Sequence, residues 1–114
     1  MAVKASNKIT PSWYTANGQD DSTDKTRFLI KPLTGAQYLE CIEVLHTISQ
    51  AQGQLRVLRY GLVDWEKFSD DAGIVEFDRQ NMSENIGRLP WQLISEITDH
   101  ILKISDVGSA ERKN

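Results

Sequence analysis

A single cysteine, Cys41, occurs in the chain, so no internal disulfide can brace the fold, and a reducing compartment suits it. Long apolar runs are missing too. Nothing approaches the roughly 18 consecutive apolar residues that cross a bilayer, and the opening "MAVKASNKITPSW" has no apolar signal-peptide segment. The expectation is a cytoplasmic protein that engages no membrane. No glycine-rich phosphate loop is present, because "TGAQY" lacks the lysine and the other glycines are scattered. No calcium loop fits, because Asp70, Asp71 and Gly73 miss the alternating oxygens and closing glutamate such a loop needs. His46 and His100 fall on different predicted helices without a second ligand at i+4. No metal or other cofactor is expected. Asn81-Met82-Ser83 matches a glycosylation acceptor, which means nothing without secretion.

What is present suits one small domain. The 114 residues allow a single modest core, and 39% hydrophobic with 25% charged residues are ordinary soluble proportions. The net charge of −3 is unevenly spread. Residues 62–85 carry seven acids against Lys67 and Arg79, a net of −5, which leaves +2 for the remainder. An acidic middle lacks the basic footprint of phosphate-backbone binding and reads as a solvated face. A helix-turn-helix centred on Ala51–Gln54 would expose Arg56 and Arg59, but its second helix is short and acids follow it at once. Nucleic acid is therefore not an expected partner. Asp64 and Glu66 have no recognisable pocket for acid–base work, and Cys41 sits on an apolar stripe without an activating base. No enzyme is expected.

Residues 1–26 are polar and aperiodic and read as a flexible N-terminal arm, with Trp13 and Tyr14 its large apolar residues. An edge strand is expected near 27–31, ended by Pro32. Thr34 then offers a helix cap with Gln37 three residues on, and Leu33 can staple onto Tyr38. Tyr38, Cys41, Ile42, Leu45 and Ile48 follow helical spacing, with that helix ending at Gly53. A second short helix is expected over Gln54–Tyr60, stopping at Gly61. Asp70–Gly73 reads as a turn leading into an extended segment near 74–78. Asn81 and Glu84 suit the start of a short helix, and Pro90 the first position of the last one. Along that last helix Ile94, Ile97, Ile101 and Ile104 repeat at three and four residues. Residues 106–114 read as a frayed polar tail. The expected fold class is mainly α, a small helical domain over 27–105 with a short β element.

Trp65 stands among acids in "GLVDWEKF". Two readings remain open for it. Trp65 and Phe68 turn inward and anchor the corner before "GIVEF", or they form an acid-rimmed contact for a basic or apolar partner.

Three stretches in order, "FLIKPLTGAQYLECIEVL", "LRYGLVDWEKFSDDAGIVEF" and "LPWQLISEITDHILKIS", resemble the tail assembly chaperones of long-tailed bacteriophages. The shared features are an "RPLTG"-like lead-in to a helix at Lys31–Gly35, a "GLxGW"-like corner at Gly61–Trp65, the turn at Asp70–Gly73, and a terminal amphipathic helix over Pro90–Ser105. The resemblance covers residues 27–105. Asp64 departs from it, standing where a glycine is common. The resemblance implies a non-enzymatic protein of the host cell cytoplasm. It would bind the tape measure protein, and often tail tube subunits, during tail assembly, and be absent from the mature virion. Client contacts would fall on apolar faces around Tyr38, Ile42, Leu45, Trp65, Phe68, Ile94, Ile97 and Ile101. Part of those faces must form the core, so a homo-oligomer is a further expectation. A structural tail or neck component and a small DNA-binding regulator are the alternatives.

Overall fold

Regular pairing begins inside the stretch expected to be a flexible arm. The computed structural model describes residues 10–19 and 25–111, with side chains up to 106. Residues 1–9 and 20–24 of the expected arm, and 112–114 of the expected tail, lie outside the described residues. Ser12–Thr15 forms a strand, β1, antiparallel to β2 (Arg27–Ile30), which is antiparallel to β3 (Leu62–Glu66). The order β1-β2-β3 makes β2 the central strand, a correction to the expected edge. Pro32 lies beyond its last ladder residue and costs the sheet no hydrogen bond.

Pairing decides which side chains share a face. Tyr14, Phe28 and Trp65 stand opposite one another, while Trp13, Leu29 and Asp64 occupy the other face. A register shift between Leu29 and Ile30 skips Val63, so Leu62 stands opposite Ile30. That bulge keeps Leu62 and Trp65 both inward although they are three residues apart. Simple alternation hides such a strand, and "GLVDWEKF" read as an irregular corner.

The helices differ from expectation at one joint. α1 (Gly35–Glu43) opens with the expected capping box between Thr34 and Gln37. It passes into a π-helical turn over Val44–Ile48, closed by Ser49 N–H donating to the Val44 carbonyl at 2.8 Å. Ser49 is extended at φ −165° and ψ 127°, and its hydroxyl accepts from Gln52 N–H to cap α2 (Gln50–Gly61). The boundary therefore falls at Ser49 rather than at Gly53. A serine offering its oxygen to the next turn begins a helix more readily than a glycine ends one here. Gly53 is inside α2 because nothing larger fits. A Cβ there would lie 2.4 Å from Leu45 Cγ and 2.8 Å from Leu45 Cα.

α3 (Met82–Gly87) is capped by Asn81, as expected. α4 (Trp91–Glu111) begins one residue after Pro90 and continues through the positions expected to fray. A small hairpin, β4 (Ser69–Asp70) and β5 (Gly73–Ile74), forms the expected turn. Asp70 Oδ1 accepts from Ala72 N–H at 2.8 Å, and Gly73 takes φ 129°, a region that favours glycine. Residues 75–78 pair in no strand, but the side-chain amide of Asn85 grips both backbone groups of Asp78 at 2.9 and 2.7 Å.

Among the described residues, with 52% helix and 18% strand in four helices and two small sheets, the fold is α+β, not mainly α. One core cluster joins the layers: Phe28, Ile30, Leu62 and Trp65 from the sheet, Cys41, Val57 and Leu58 from α1 and α2, and Ile97 and Ile101 from α4. Trp65 is its aromatic centre. Its ring meets Phe28, Phe68 and Phe77 edge-on at centroid distances of 6.2, 5.1 and 4.9 Å. Its indole Nε1–H donates to the Val75 carbonyl at 2.8 Å.

Two substitutions test this architecture by denaturant unfolding. Trp65→Ala is expected to cost about 3–5 kcal/mol, the usual range for deleting a buried large aromatic. Gly53→Ala is expected to destabilise by about 1–3 kcal/mol by overpacking, although alanine is the better helix former. Adding Leu45→Ala should return part of that loss. An additive double mutant would break the assigned contact.

Candidate functional site

The eight residues singled out from the sequence separate into three groups. Ile97 and Ile101 are fully buried and Trp65 is 6% exposed, so they belong to the core and cannot meet a partner while the fold is closed. This corrects their expected role as contacts, and for Trp65 it favours the structural anchor. Tyr38, Phe68 and Ile94 are half-buried and pack against the core. Ile42 and Leu45 are half-buried and stand outside that packing.

Ile42 and Leu45 line one groove. Its walls are Ile42 from α1, Leu45 and His46 from the π turn, Gln50 and Gln54 from α2, and Thr98, Asp99 and Leu102 from α4. The volume is about 380 Å³. Gly53 makes this geometry possible, since contact with Leu45 brings the π turn against α2. The polar floor is largely self-satisfied. Gln54 Nε2–H donates to Ser95 Oγ at 3.2 Å, and the Thr98 hydroxyl donates to the Gln54 carbonyl at 3.5 Å. Ile42, Leu45 and Leu102 remain as the apolar surface. Asp99 is exposed at the margin, with no ion pair or hydrogen bond among the described residues. Leu39, 70% exposed, lies one turn before Ile42 and prolongs that apolar side of α1.

Sequence reasoning missed Leu102, Asp99 and Leu39. The repeat of four isoleucines drew attention to the buried face of α4. A signal did exist for Leu102, which follows Thr98 by four residues and Asp99 by three, on the flank of that face.

A second cleft of about 290 Å³ lies between the turn after β1 and the start of α4, lined by Phe68, Leu93 and Glu96 among others. Its polar groups hold the fold together. Glu96 Oε2 accepts from the Tyr14 hydroxyl at 2.7 Å and from Asn17 N–H at 2.8 Å. Gln19 donates to the Ala16 and Thr26 carbonyls and accepts from Thr26 N–H. The Tyr14 ring stacks on His100 at 4.2 Å. Burial, then the Glu96 carboxylate, pushes the Tyr14 phenol up to about 12. Burial and then Lys103 push His100 below its ordinary value, and Glu96 opposes that shift.

Several other charged residues and the thiol are engaged locally. Asp64 pairs with Arg79 at 3.3 Å, and Glu66 pairs with Arg27, whose guanidinium also lies over the Trp13 ring. Arg56 reaches Glu40 at 3.4 Å, and Arg59 donates to Ser83 Oγ at 3.2 Å. Burial, then Glu40, raises the Cys41 thiol above its usual value. Among the described residues no three of His, Cys, Asp and Glu converge as metal ligands, and no helix is long and apolar enough to cross a membrane. The chain matches no protein-family model, no curated protein and no solved structure.

The Tyr14 clamp has a pH signature. Its folded value lies above the ordinary 10.0, so its stabilisation is complete below pH 10 and lost as pH rises towards 12. Absorbance titration should show one tyrosine ionising near 12, and Tyr14→Phe should remove that component and reduce the alkaline loss of stability. A lowered His100 acts at the other end, since the unfolded chain takes up its proton first and stability falls as pH drops below 6.5. Unchanged pH–stability curves in Tyr14→Phe and His100→Phe would refute the paired assignment.

Proposed function

We propose that this protein is a non-enzymatic assembly chaperone that holds an apolar helical client by surface contact. The reading follows the resemblance over residues 27–105 to phage tail assembly chaperones, and makes the tape measure protein the principal client and tail tube subunits a second. The observation that carries it is the groove between α1, the π turn, α2 and α4. There Ile42, Leu45 and Leu102 present apolar surface between helices, with Ile42 and Leu45 left out of the core packing. Interhelical grooves of this kind take the apolar face of an added helix.

The proposed cycle needs contact and release only. A long helical protein exposes apolar stripes before it assembles, and covering them keeps it in solution. An acidic chaperone adds charge repulsion between complexes. Release follows when the client's assembled form buries the same stripe more completely. On this reading the protein works in the host cytoplasm and stays out of the mature virion.

Co-expression with the product of a neighbouring long helical reading frame tests the proposal. The client should be recovered soluble in a complex with this protein and insoluble without it, and chelator should change neither result. A client equally soluble alone would reject the reading. Mass-spectrometric detection of the protein in purified particles would reassign it as a structural tail component, and steeply salt-dependent DNA affinity would reassign it as a regulator.

A further inference from the structure

We infer that the groove between α1 and α4 selects an amphipathic helix carrying a basic residue, and that Asp99 makes the selection. The inference rests on the holding function proposed above and names the chemistry of the segment held. Ile42 and Leu45 stand on one wall and Leu102 on the other. A helix lying between them meets both walls with apolar side chains three and four residues apart. The groove's 380 Å³ admits the side chains of one such face and leaves the incoming backbone outside. Leu39 extends the apolar wall by a turn.

Charge decides what flanks that stripe. Asp64, Glu66 and Asp70 each have an arginine partner, at Arg79, Arg27 and Arg88. Asp99 has none among the described residues, and it lines the groove at its exposed margin. A lysine or arginine one turn from the incoming apolar residues meets this carboxylate, whereas a glutamate there is repelled.

The test uses the full chain and two fluorescein-labelled synthetic peptides of about 18 residues, long enough for helix to form on binding. Both carry leucine at i, i+3, i+4 and i+7; one has lysine beside the stripe and the other glutamate. Anisotropy should show the lysine peptide binding about fivefold tighter or better. Asp99→Lys, an exposed change that should leave the melting temperature alone, should invert that preference. Ile42→Gln should weaken both peptides by about tenfold. Should Ile42→Gln fail to fold, Asp99→Lys alone decides. Equal affinity for the two peptides, or a preference that Asp99→Lys leaves unchanged, overturns the inference. So does a concentration-dependent dimer that Asp99→Lys dissociates while neither peptide binds, since the groove then belongs to a second copy. Peptide selection without client solubilisation would keep the groove assignment and reject the chaperone. A client held equally well by both variants would do the reverse.

Discussion

A buried indole has one N–H that must find an acceptor away from water, and most of this fold can be traced from how Trp65 meets that demand. The acceptor is the carbonyl of Val75, which lies outside any strand, so the bond holds an irregular segment over the end of the sheet. Val75 N–H in turn donates to the Phe68 carbonyl at 2.8 Å, which extends the β4–β5 hairpin pairing. Three phenylalanines complete the enclosure: Phe28 from the central strand, Phe68 before the hairpin and Phe77 after it. One residue on, Asp78 is gripped by Asn85, which passes the constraint to α3. The acids around Trp65 follow from strand geometry. Asp64 and Glu66 flank it on the opposite face of β3, where each pairs with an arginine.

Two glycines set how closely the helices approach. Gly53 lets α2 touch the π turn at Leu45, and a Cβ on Gly61 would lie 2.8 Å from two side-chain carbons of Ile101. The first contact shapes the groove and the second seats α4. The π turn belongs to the same arrangement, since it brings Leu45 and His46 to the groove before Ser49 reverses the chain. Local backbone irregularity thus produces the surface on which the proposed function depends.

The apolar residues divide between two demands. A chain of 114 residues has few to spare, and α4 spends Ile97 and Ile101 on the core, with Ile94 and Ile104 packed beside them. Surface recognition is left to the flanks of the same helices: Leu39 and Ile42 on α1, and on α4 the groove-facing side of Leu102, which also packs against the core. On the proposed reading these flanks hold the client, and the folded core need not open to do so. The cleft near Glu96 plays no part in this, because Tyr14 and Asn17 already use its carboxylate to fix the β1 end to α4, and Gln19 ties the turn after β1 to Thr26.

Features governed by near neighbours were legible in the sequence. The Thr34 capping box, the Asn81 cap, the Asp70–Gly73 turn, the buried Cys41 and the isoleucine stripe of α4 each depend on residues within about one or two turns, and each stands where local chemistry puts it. Ile42 and Leu45 were legible as an apolar face and, through the resemblance, as contacts, but were not separable from the buried Trp65, Ile97 and Ile101, because periodicity shows that a face is apolar without showing what covers it. Whatever required a distant partner was hidden. Ser12–Thr15 is a strand because β2 and α4 meet it, and the polar, aperiodic stretch around Trp13 and Tyr14 gave no sign of that. The bulge that turns both Leu62 and Trp65 inward exists only against the register of β2. Gly53 reads as a terminator until Leu45 is beside it. The sequence by itself therefore determined caps, turns and which helix faces are apolar, whereas strand pairing, the boundary at Ser49 and the division of apolar residues between core and groove were decided by tertiary contact.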